Sequence, residues 1–267
     1  MKINTAKLIY FSPTRTTRKI LEGIARGIAV ENIEHLDLTP PTAETGTLGI
    51  VEADLVIMGV PVYTGRVAKT AVNRLGRLQT GKKTPAVLVA VYGNRAFEDA
   101  LMELKSIAEA TGFAPVAAGA FIGEHSFADD TTPIACGRPD EKDLEEASAF
   151  GRLIRNKIKR MEGPGAFLPL QVPGNFPYRE RTVLPAGSPM TREALCTLCG
   201  TCADGCPTGA ITLGDSVLTD ATACIYCCAC VKNCPAKARV MAMPVINGIA
   251  AKLSKSCSER KIPEFFL

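Results

Sequence analysis

Two cysteine runs carry the clearest chemistry in this chain. The first reads CTLCGTCADGCP at residues 196–207, and the second reads CIYCCACVKNCP at residues 224–235, 28 residues further on. Each run has the CxxCxxCxxxCP spacing whose thiolates bind a [4Fe-4S] cluster, so the tandem arrangement predicts two clusters. Paired zinc sites are the alternative interpretation of the same cysteines.

The fourth cysteine of each run lies beyond a three-residue gap and before a proline, which directs it toward the neighbouring cluster. Each predicted cluster therefore takes three ligands from one run and the fourth from the other. The 28-residue offset between the runs indicates an internal duplication. Cluster I is assigned Cys196, Cys199, Cys202 and Cys234, and cluster II is assigned Cys224, Cys227, Cys230 and Cys206.

Three cysteines, Cys136, Cys228 and Cys257, fit neither spacing. Cys228 falls where the first run has Gly200, so we interpret it as a packing residue rather than a ligand. Between the runs, AITLGDSVLT at residues 210–219 alternates apolar and polar residues around Gly-Asp and predicts a small hairpin.

A hydroxyl-rich loop, SPTRTT at residues 12–17, stands between a predicted strand and a predicted helix. Backbone amides and hydroxyls at a helix N-terminus favour an anion, and the loop lacks both the P-loop and the GxGxxG signatures. It therefore predicts a site for a monophosphate. The alternative is an ordinary helix N-cap.

Two further loops, PVYTGR at residues 61–66 and YGNRAF at residues 92–97, each combine an aromatic residue, a glycine and an arginine. That combination suits a flat heteroaromatic ring held by stacking and by main-chain groups.

These loops follow predicted strands of an α/β domain. The apolar runs predict strands at residues 7–11, 33–37, 55–60, 85–92 and 114–121. Amphipathic stretches predict helices at residues 17–28, 67–78, 96–111 and 141–159. The alternation favours a doubly wound, five-stranded parallel sheet whose ligand site lies beyond the carboxyl ends of the strands, followed by a small α+β cluster domain.

The loops and the trailing cysteine runs together resemble the flavodoxin and ferredoxin fusions called EFR1-family ferredoxins, over nearly the whole chain. The resemblance implies FMN in the amino-terminal domain and a bacterial-type ferredoxin with two [4Fe-4S] clusters after it. It places the phosphate and the isoalloxazine ring against these residues: Ser12, Thr14, Arg15, Thr16, Thr17, Pro61, Val62, Tyr63, Thr64, Gly65, Tyr92, Gly93, Asn94, Arg95 and Phe97.

Arg15 departs from the family pattern, which places glycine there. Either the backbone at Arg15 is unstrained, or its guanidinium contacts the phosphate. The long loop after residue 121 carries Glu124 and His125, and His125 is a candidate for proton delivery near the flavin. A surface histidine without a catalytic role is the alternative, and no catalytic residue is assigned.

The predicted organisation has four parts: a flavin domain at 1–162, a proline-rich linker at 163–190, a ferredoxin domain at 191–244, and a C-terminal helix and tail at 245–267 that pack back on the body. Phe167, Leu168, Phe176 and Tyr178 are the expected anchors of the linker. Phe265, Phe266 and Leu267 are the tail residues expected to be buried.

The formal net charge is +4, with basic residues scattered and not interleaved with aromatics, which argues against a nucleic-acid partner. No apolar run is long enough for a membrane span, and no signal peptide is evident at the start, so we expect a cytoplasmic and anaerobic setting. The expected partners are redox proteins that donate or accept low-potential electrons, with a homodimer left open.

Two functions remain open from the sequence. The first is electron transfer, in which two clusters and FMN relay single electrons within one chain. The second is a terminal flavin-dependent reductase that the clusters supply, which needs a substrate pocket beside the flavin bordered by Tyr63, Arg66, Arg95 and His125. The lack of any further catalytic constellation favours electron transfer.

Overall fold

A parallel sheet forms the centre of the amino-terminal domain in this computed structural model, which describes residues 3–160 and 169–267. Its strands are β1 Thr5–Tyr10, β2 Asn32–Asp37, β3 Leu55–Tyr63, β5 Pro85–Tyr92 and β6 Ala114–Ile122, and the short β4, Arg66–Val67, folds back on the end of β3. The five longer strands are parallel and run in the order β2-β1-β3-β5-β6, which is the flavodoxin-like doubly wound order. The prediction of five parallel strands is confirmed.

Helices cover both faces of this sheet. On one face α1, Thr16–Ile28, packs against α5, Glu141–Lys159, and on the other lie α3, Lys69–Leu75, and α4, Ala100–Ala110; the single-turn α2 is Thr42–Thr45. Gly27 and Gly151 allow α1 and α5 to touch, because a Cβ on Gly27 would lie 1.9 Å from the Ser148 carbonyl oxygen. Asp140 begins α5 with a capping box to Asp143.

Two helices begin later than the sequence predicts. The helix predicted from residue 67 starts at Lys69 because Val67 pairs with Val62 in the β3–β4 hairpin. The helix predicted from residue 96 starts at Ala100, since Glu98 has a left-handed backbone with φ of 45° that a helix cannot include.

The cysteine-rich segment is built as two similar halves. Its single-turn helices α6, Thr201–Asp204, and α7, Ala229–Lys232, are 28 residues apart. The predicted hairpin is present as β8, Ile211–Leu213, and β9, Val217–Thr219. A second antiparallel strand pair joins β7, Met190–Thr191, to β10, Arg239–Val240, and so brings the two ends of the segment together.

The C-terminal residues return to the amino-terminal domain. After α8, Pro244–Ser256, the chain adds β11, Glu264–Phe266, antiparallel to β6 at the edge of the sheet. The Phe265 ring stacks on Phe150 with centroids 4.5 Å apart. Leu267, expected to be buried, is half-exposed because it lies beyond the last paired residue.

The described part of the linker, residues 169–189, has no regular secondary structure and follows the surface of α4. Leu170 and Val172 are buried in the core, and Tyr178 donates its hydroxyl to Ser106 Oγ at 2.8 Å. Phe176 is 80% exposed, so it does not anchor the linker. Phe167, Leu168 and the predicted boundary at 162/163 lie outside the described residues. Within the described ranges, no helix has both the length and the apolarity to cross a bilayer.

Candidate cofactor-binding site

The hydroxyl-rich loop 12–17 forms a tight turn into α1. Ser12 is buried, its Oγ accepts from Arg18 N at 3.1 Å, and its own N–H donates to Thr39 Oγ1. Arg15 has a φ of 63°, the left-handed conformation that favours glycine, and its side chain is exposed. The backbone at Arg15 is therefore not relaxed, which removes the first of the two alternatives for this residue.

The threonine hydroxyls of this loop are not fully used by the protein. Thr14 Oγ1 and Thr16 Oγ1 lie 3.3 Å apart, and both residues line a cavity. Thr17 Oγ1 is buried and has no hydrogen-bond partner among the described residues. A buried hydroxyl without a partner is costly, and an anion at the α1 N-terminus would relieve that cost.

The cavity has a volume of about 480 Å³ and lies beyond the carboxyl ends of β3, β5 and β6. Its size is within the usual range for a cofactor or small ligand. Residues from all three predicted loops line it: Thr14, Thr16, Pro61, Val62, Tyr63, Thr64, Gly65, Tyr92, Gly93 and Arg95.

Five of the residues predicted to contact the phosphate or the ring do not line the cavity: Ser12, Arg15, Thr17, Asn94 and Phe97. Asn94 is 2% exposed and donates from Nδ2 to the carbonyl oxygens of Cys257 at 2.7 Å and Glu259 at 2.8 Å. Phe97 packs on Tyr92 in the core. Asn94 thus attaches the C-terminal segment to the loop after β5. The YGNRAF motif around it does not predict this role.

His125 forms part of the cavity wall against Gly93. A Cβ on Gly93 would lie 2.3 Å from His125 Cδ2, so glycine is needed for this approach. Burial, assisted by the positive charges of Lys232 and Arg95, lowers the pKa of His125 to about 4. His125 Nδ1 accepts from Phe127 N at 3.1 Å, so a neutral imidazole is held in a fixed position.

Segments distant in sequence complete the wall, and the loop motifs alone did not reveal them. They come from the β6–α5 loop, the linker, the second cysteine run and α8, and include Ser126, Phe127, Arg179, Arg181, Thr182, Leu184, Ile225, Tyr226, Ile249 and Leu253. Most of them are apolar or basic, and they share no motif in the sequence.

Two buried carboxylates fix the linker beside the cavity. Asp99 accepts from Asn175 N at 2.8 Å and from Arg179 N at 2.7 Å. Burial disfavours its ionised form, but these bonds outweigh burial and hold the pKa of Asp99 below its ordinary value. Glu103 binds the Arg66 and Arg181 guanidinium groups, so the linker is attached at several points.

The cysteines of the two runs surround two smaller cavities, each of about 20 Å³. One is lined by Cys196, Cys199, Cys202 and Cys234. The other is lined by Cys206, Cys224, Cys227, Cys228 and Cys230. These groups are the ones that crossed ligation requires, with Cys228 as an additional buried thiol.

The thiols of each group are arranged around a space and do not converge on one point. Within residues 3–160 and 169–267, no three His, Cys, Asp or Glu side chains come close enough together to hold one metal ion. The thiols instead surround a space. Ala210 N donates to Cys206 Sγ and Ala238 N to Cys234 Sγ, both at 3.3 Å, so the duplication repeats an amide–sulfur bond.

Arg239 lies between the two cysteine groups and was not recognised from the sequence. It is 3% exposed, it lines the first cavity, and its Nη2 is 3.9 Å from Cys230 Sγ of the second. Burial raises the pKa of Cys230 to about 11, with the Arg239 charge acting in the opposite direction. A buried cation beside buried thiols suits a site that becomes anionic when thiolates bind iron.

The second cysteine group and the large cavity share a wall. Ile225, between Cys224 and Cys227, lines both. On the domain side, Tyr63 forms a hydrogen bond with Ser126, and burial together with the thiols of Cys227 and Cys228 raises the pKa of Tyr63 well above its ordinary value. Lys232 extends from α7 to Glu124 and to the Ala128 carbonyl oxygen at 2.6 Å, and so joins the two parts.

Comparison with protein-family models finds a match to the first half of the cysteine-rich segment. Residues 190–212, which include the first run, match the family model described as 4Fe-4S binding domain. No curated protein matches the chain by sequence.

Similar solved structures overlap the amino-terminal part. A flavodoxin from the domain Archaea is 16% identical, with 58% of this chain and 99% of that chain covered and a TM-score of 0.38. A flavodoxin, WrbA-like protein from Agrobacterium tumefaciens is 14% identical, with 59% and 99% covered and a TM-score of 0.42. A Fusobacterium nucleatum flavodoxin bound to flavin mononucleotide is 15% identical, with 58% and 97% covered and a TM-score of 0.38.

Proposed function

We propose that this chain, which joins a flavodoxin-like α/β domain to a 4Fe-4S binding segment, is an electron-transfer protein. It relays single electrons between two [4Fe-4S] clusters and one FMN. The observation that carries the proposal is the wall shared by the second cysteine group and the large cavity. Ile225 lines both, so electrons crossing between them pass only a short stretch of protein.

FMN is the proposed occupant of the large cavity because its two chemical ends fit different parts of the wall. Thr14 and Thr16 supply one hydroxyl-rich end of the wall, at the α1 N-terminus. Tyr63 and Tyr92 give the other end the aromatic character that suits a flat ring. FMN supplies the ability to take up one or two electrons.

The second cluster is supported by the duplication. The family match ends at residue 212, but the second run has the same spacing, the same amide–sulfur bond and its own thiol-lined cavity. We assign the ligands as Cys196, Cys199, Cys202 and Cys234 for cluster I, and as Cys224, Cys227, Cys230 and Cys206 for cluster II.

The arrangement gives the relay an order. Cluster II borders the flavin cavity, whereas Cys199 of cluster I is exposed, so we place the contact with a partner redox protein at cluster I. The cysteines are free, which suits a reducing compartment such as the cytoplasm.

The reductase alternative has weaker support. Tyr63, Arg95 and His125 line the cavity, but Arg66, the fourth residue expected to border a substrate pocket, does not. Its guanidinium pairs with Glu103 and stacks over the Tyr178 ring at 4.4 Å. That arrangement secures the linker and leaves the arginine unable to contact a substrate.

Cofactor content and ligand replacement test the proposal. Anaerobically purified protein should contain about eight irons, about eight acid-labile sulfides and one FMN per chain. Replacing Cys206 with serine should chiefly damage cluster II, although Cys206 belongs to the first run, and Cys136→Ser is the matched control. Stoichiometric zinc without iron would contradict the cluster assignment, and loss of cluster I alone in Cys206→Ser would reverse it.

A further inference from the structure

The duplication makes Tyr226 and Leu198 equivalent residues, because each is the third residue of its CxxC loop. Their backbones agree, with φ of 56° at Tyr226 and 53° at Leu198. Their surroundings differ. Leu198 is 45% exposed, whereas Tyr226 lines the large cavity together with residues of the amino-terminal domain.

Tyr226 is held at both ends. Its backbone lies between Cys224 and Cys227, two proposed ligands of cluster II, and its hydroxyl donates to the Pro185 carbonyl oxygen of the linker. A left-handed backbone is unfavourable for a side chain of this size, so the surrounding structure must stabilise it. The aromatic ring is therefore supported in position before any ligand enters.

We propose that Tyr226 forms part of the flavin-binding surface, so that the cysteine-rich segment contributes directly to FMN affinity. The ligand class is a flat heteroaromatic ring, which an aromatic side chain binds by stacking. This inference rests on the proposed function, because it assumes that FMN occupies the large cavity. It assigns to the second half of the chain a contact that the three predicted flavin loops do not include.

Titration with FMN, followed by quenching of flavin fluorescence under anaerobic conditions, tests this inference on the full chain with its clusters. Tyr226→Leu gives the second run the residue that the first run has, and should weaken FMN binding about tenfold through loss of stacking. Tyr226→Phe keeps the ring and should retain most of the affinity. Leu198→Ala, at the equivalent position beside cluster I, should leave FMN affinity unchanged.

The outcomes separate this inference from the proposed function. If the unaltered protein does not bind FMN, the proposed function is wrong. If it binds FMN and Tyr226→Leu binds equally well, only the role of Tyr226 is refuted. Equal weakening by Tyr226→Leu and Leu198→Ala would also refute it, because a general disturbance of the segment would then explain both.

A tryptophan reporter covers the case in which Tyr226→Leu loses its clusters. The chain contains no tryptophan, so Tyr226→Trp and Leu198→Trp each introduce a single one. FMN should quench the emission of Tyr226→Trp more strongly than that of Leu198→Trp. Equal quenching in the two variants would contradict the proposed contact.

Discussion

Arg239 provides a direct test of how the protein sets the electron affinity of the clusters. Its guanidinium is buried between the two cysteine groups and donates to Thr191 Oγ1 at 2.7 Å and to Thr219 Oγ1 at 3.0 Å. Its Nε is buried and has no partner among the residues that the structure describes. Replacing Arg239 with glutamine removes the charge and leaves a polar side chain in its place.

The size of the effect follows from the distance to the nearest thiol. Two unit charges about 4 Å apart interact by about 4 kcal/mol at an effective dielectric constant of 20. Arg239 Nη2 lies 3.9 Å from Cys230 Sγ, but an added electron is spread over the cluster behind that sulfur. We therefore take about half the value, about 2 kcal/mol, which corresponds to about 90 mV for one electron.

The assay is an anaerobic redox titration followed by electron paramagnetic resonance. Arg239→Gln should lower the reduction potential of both clusters by tens of millivolts, since a cation that stabilises the added electron is lost. Arg239→Lys keeps the charge and should shift the potentials much less. Unchanged potentials in Arg239→Gln, with full iron content, would refute the electrostatic role of this residue.

Three further predictions concern the walls of the flavin cavity and the C-terminal segment. Gly93→Ala should displace His125 and weaken FMN binding in a titration, whereas Gly214→Ala, where a Cβ would meet nothing within 4 Å, should have no effect. The pKa of His125 is lowered to about 4 in the folded protein, whereas an unfolded histidine has a pKa of about 6.5. As the pH falls from about 6.5 to about 4, His125 is protonated in the unfolded chain but not in the folded protein. The free energy of unfolding should therefore decrease over this range by up to about 3 kcal/mol. Denaturant unfolding at neutral pH and at about pH 5 should show that the free energy of unfolding decreases less in His125→Gln than in the unaltered protein. An equal decrease in the two proteins would contradict the lowered pKa of His125. Asn94→Ala should cost about 1–3 kcal/mol and speed proteolysis of the C-terminal segment, because two carbonyl groups lose their donor; unchanged proteolysis would argue against this role.

Local patterns in the sequence were sufficient to predict the sheet and the two thiol groups. Buried parallel strands read as continuous apolar runs, and β5 was predicted at its observed bounds, Pro85–Tyr92. The cysteine spacing is equally local, since each CxxC turn positions its own thiols. These features depend only on residues that are close together in the sequence, so they can be predicted without knowledge of the tertiary structure.

Contacts between distant segments can be predicted from the sequence only in part. The apolar tail predicts packing back on the body, but it does not predict that residues 264–266 form the strand β11 at the open edge of β6. Asn94 resembles a flavin-loop residue but bonds to carbonyls more than 160 positions away. Arg239 and Tyr226 have roles only because the duplicated halves and the linker bring other groups to them.

Rapid mixing of the anaerobic protein with a one-electron donor tests the central claim most directly. Electron transfer within one chain predicts that the cluster absorbance bleaches first, and that the flavin is then reduced at a rate independent of protein concentration. Cys224→Ser, which removes a ligand of cluster II, should abolish the second phase while cluster I still accepts electrons. A flavin phase whose rate rises in proportion to protein concentration would show that electrons cross between molecules, and would contradict the relay.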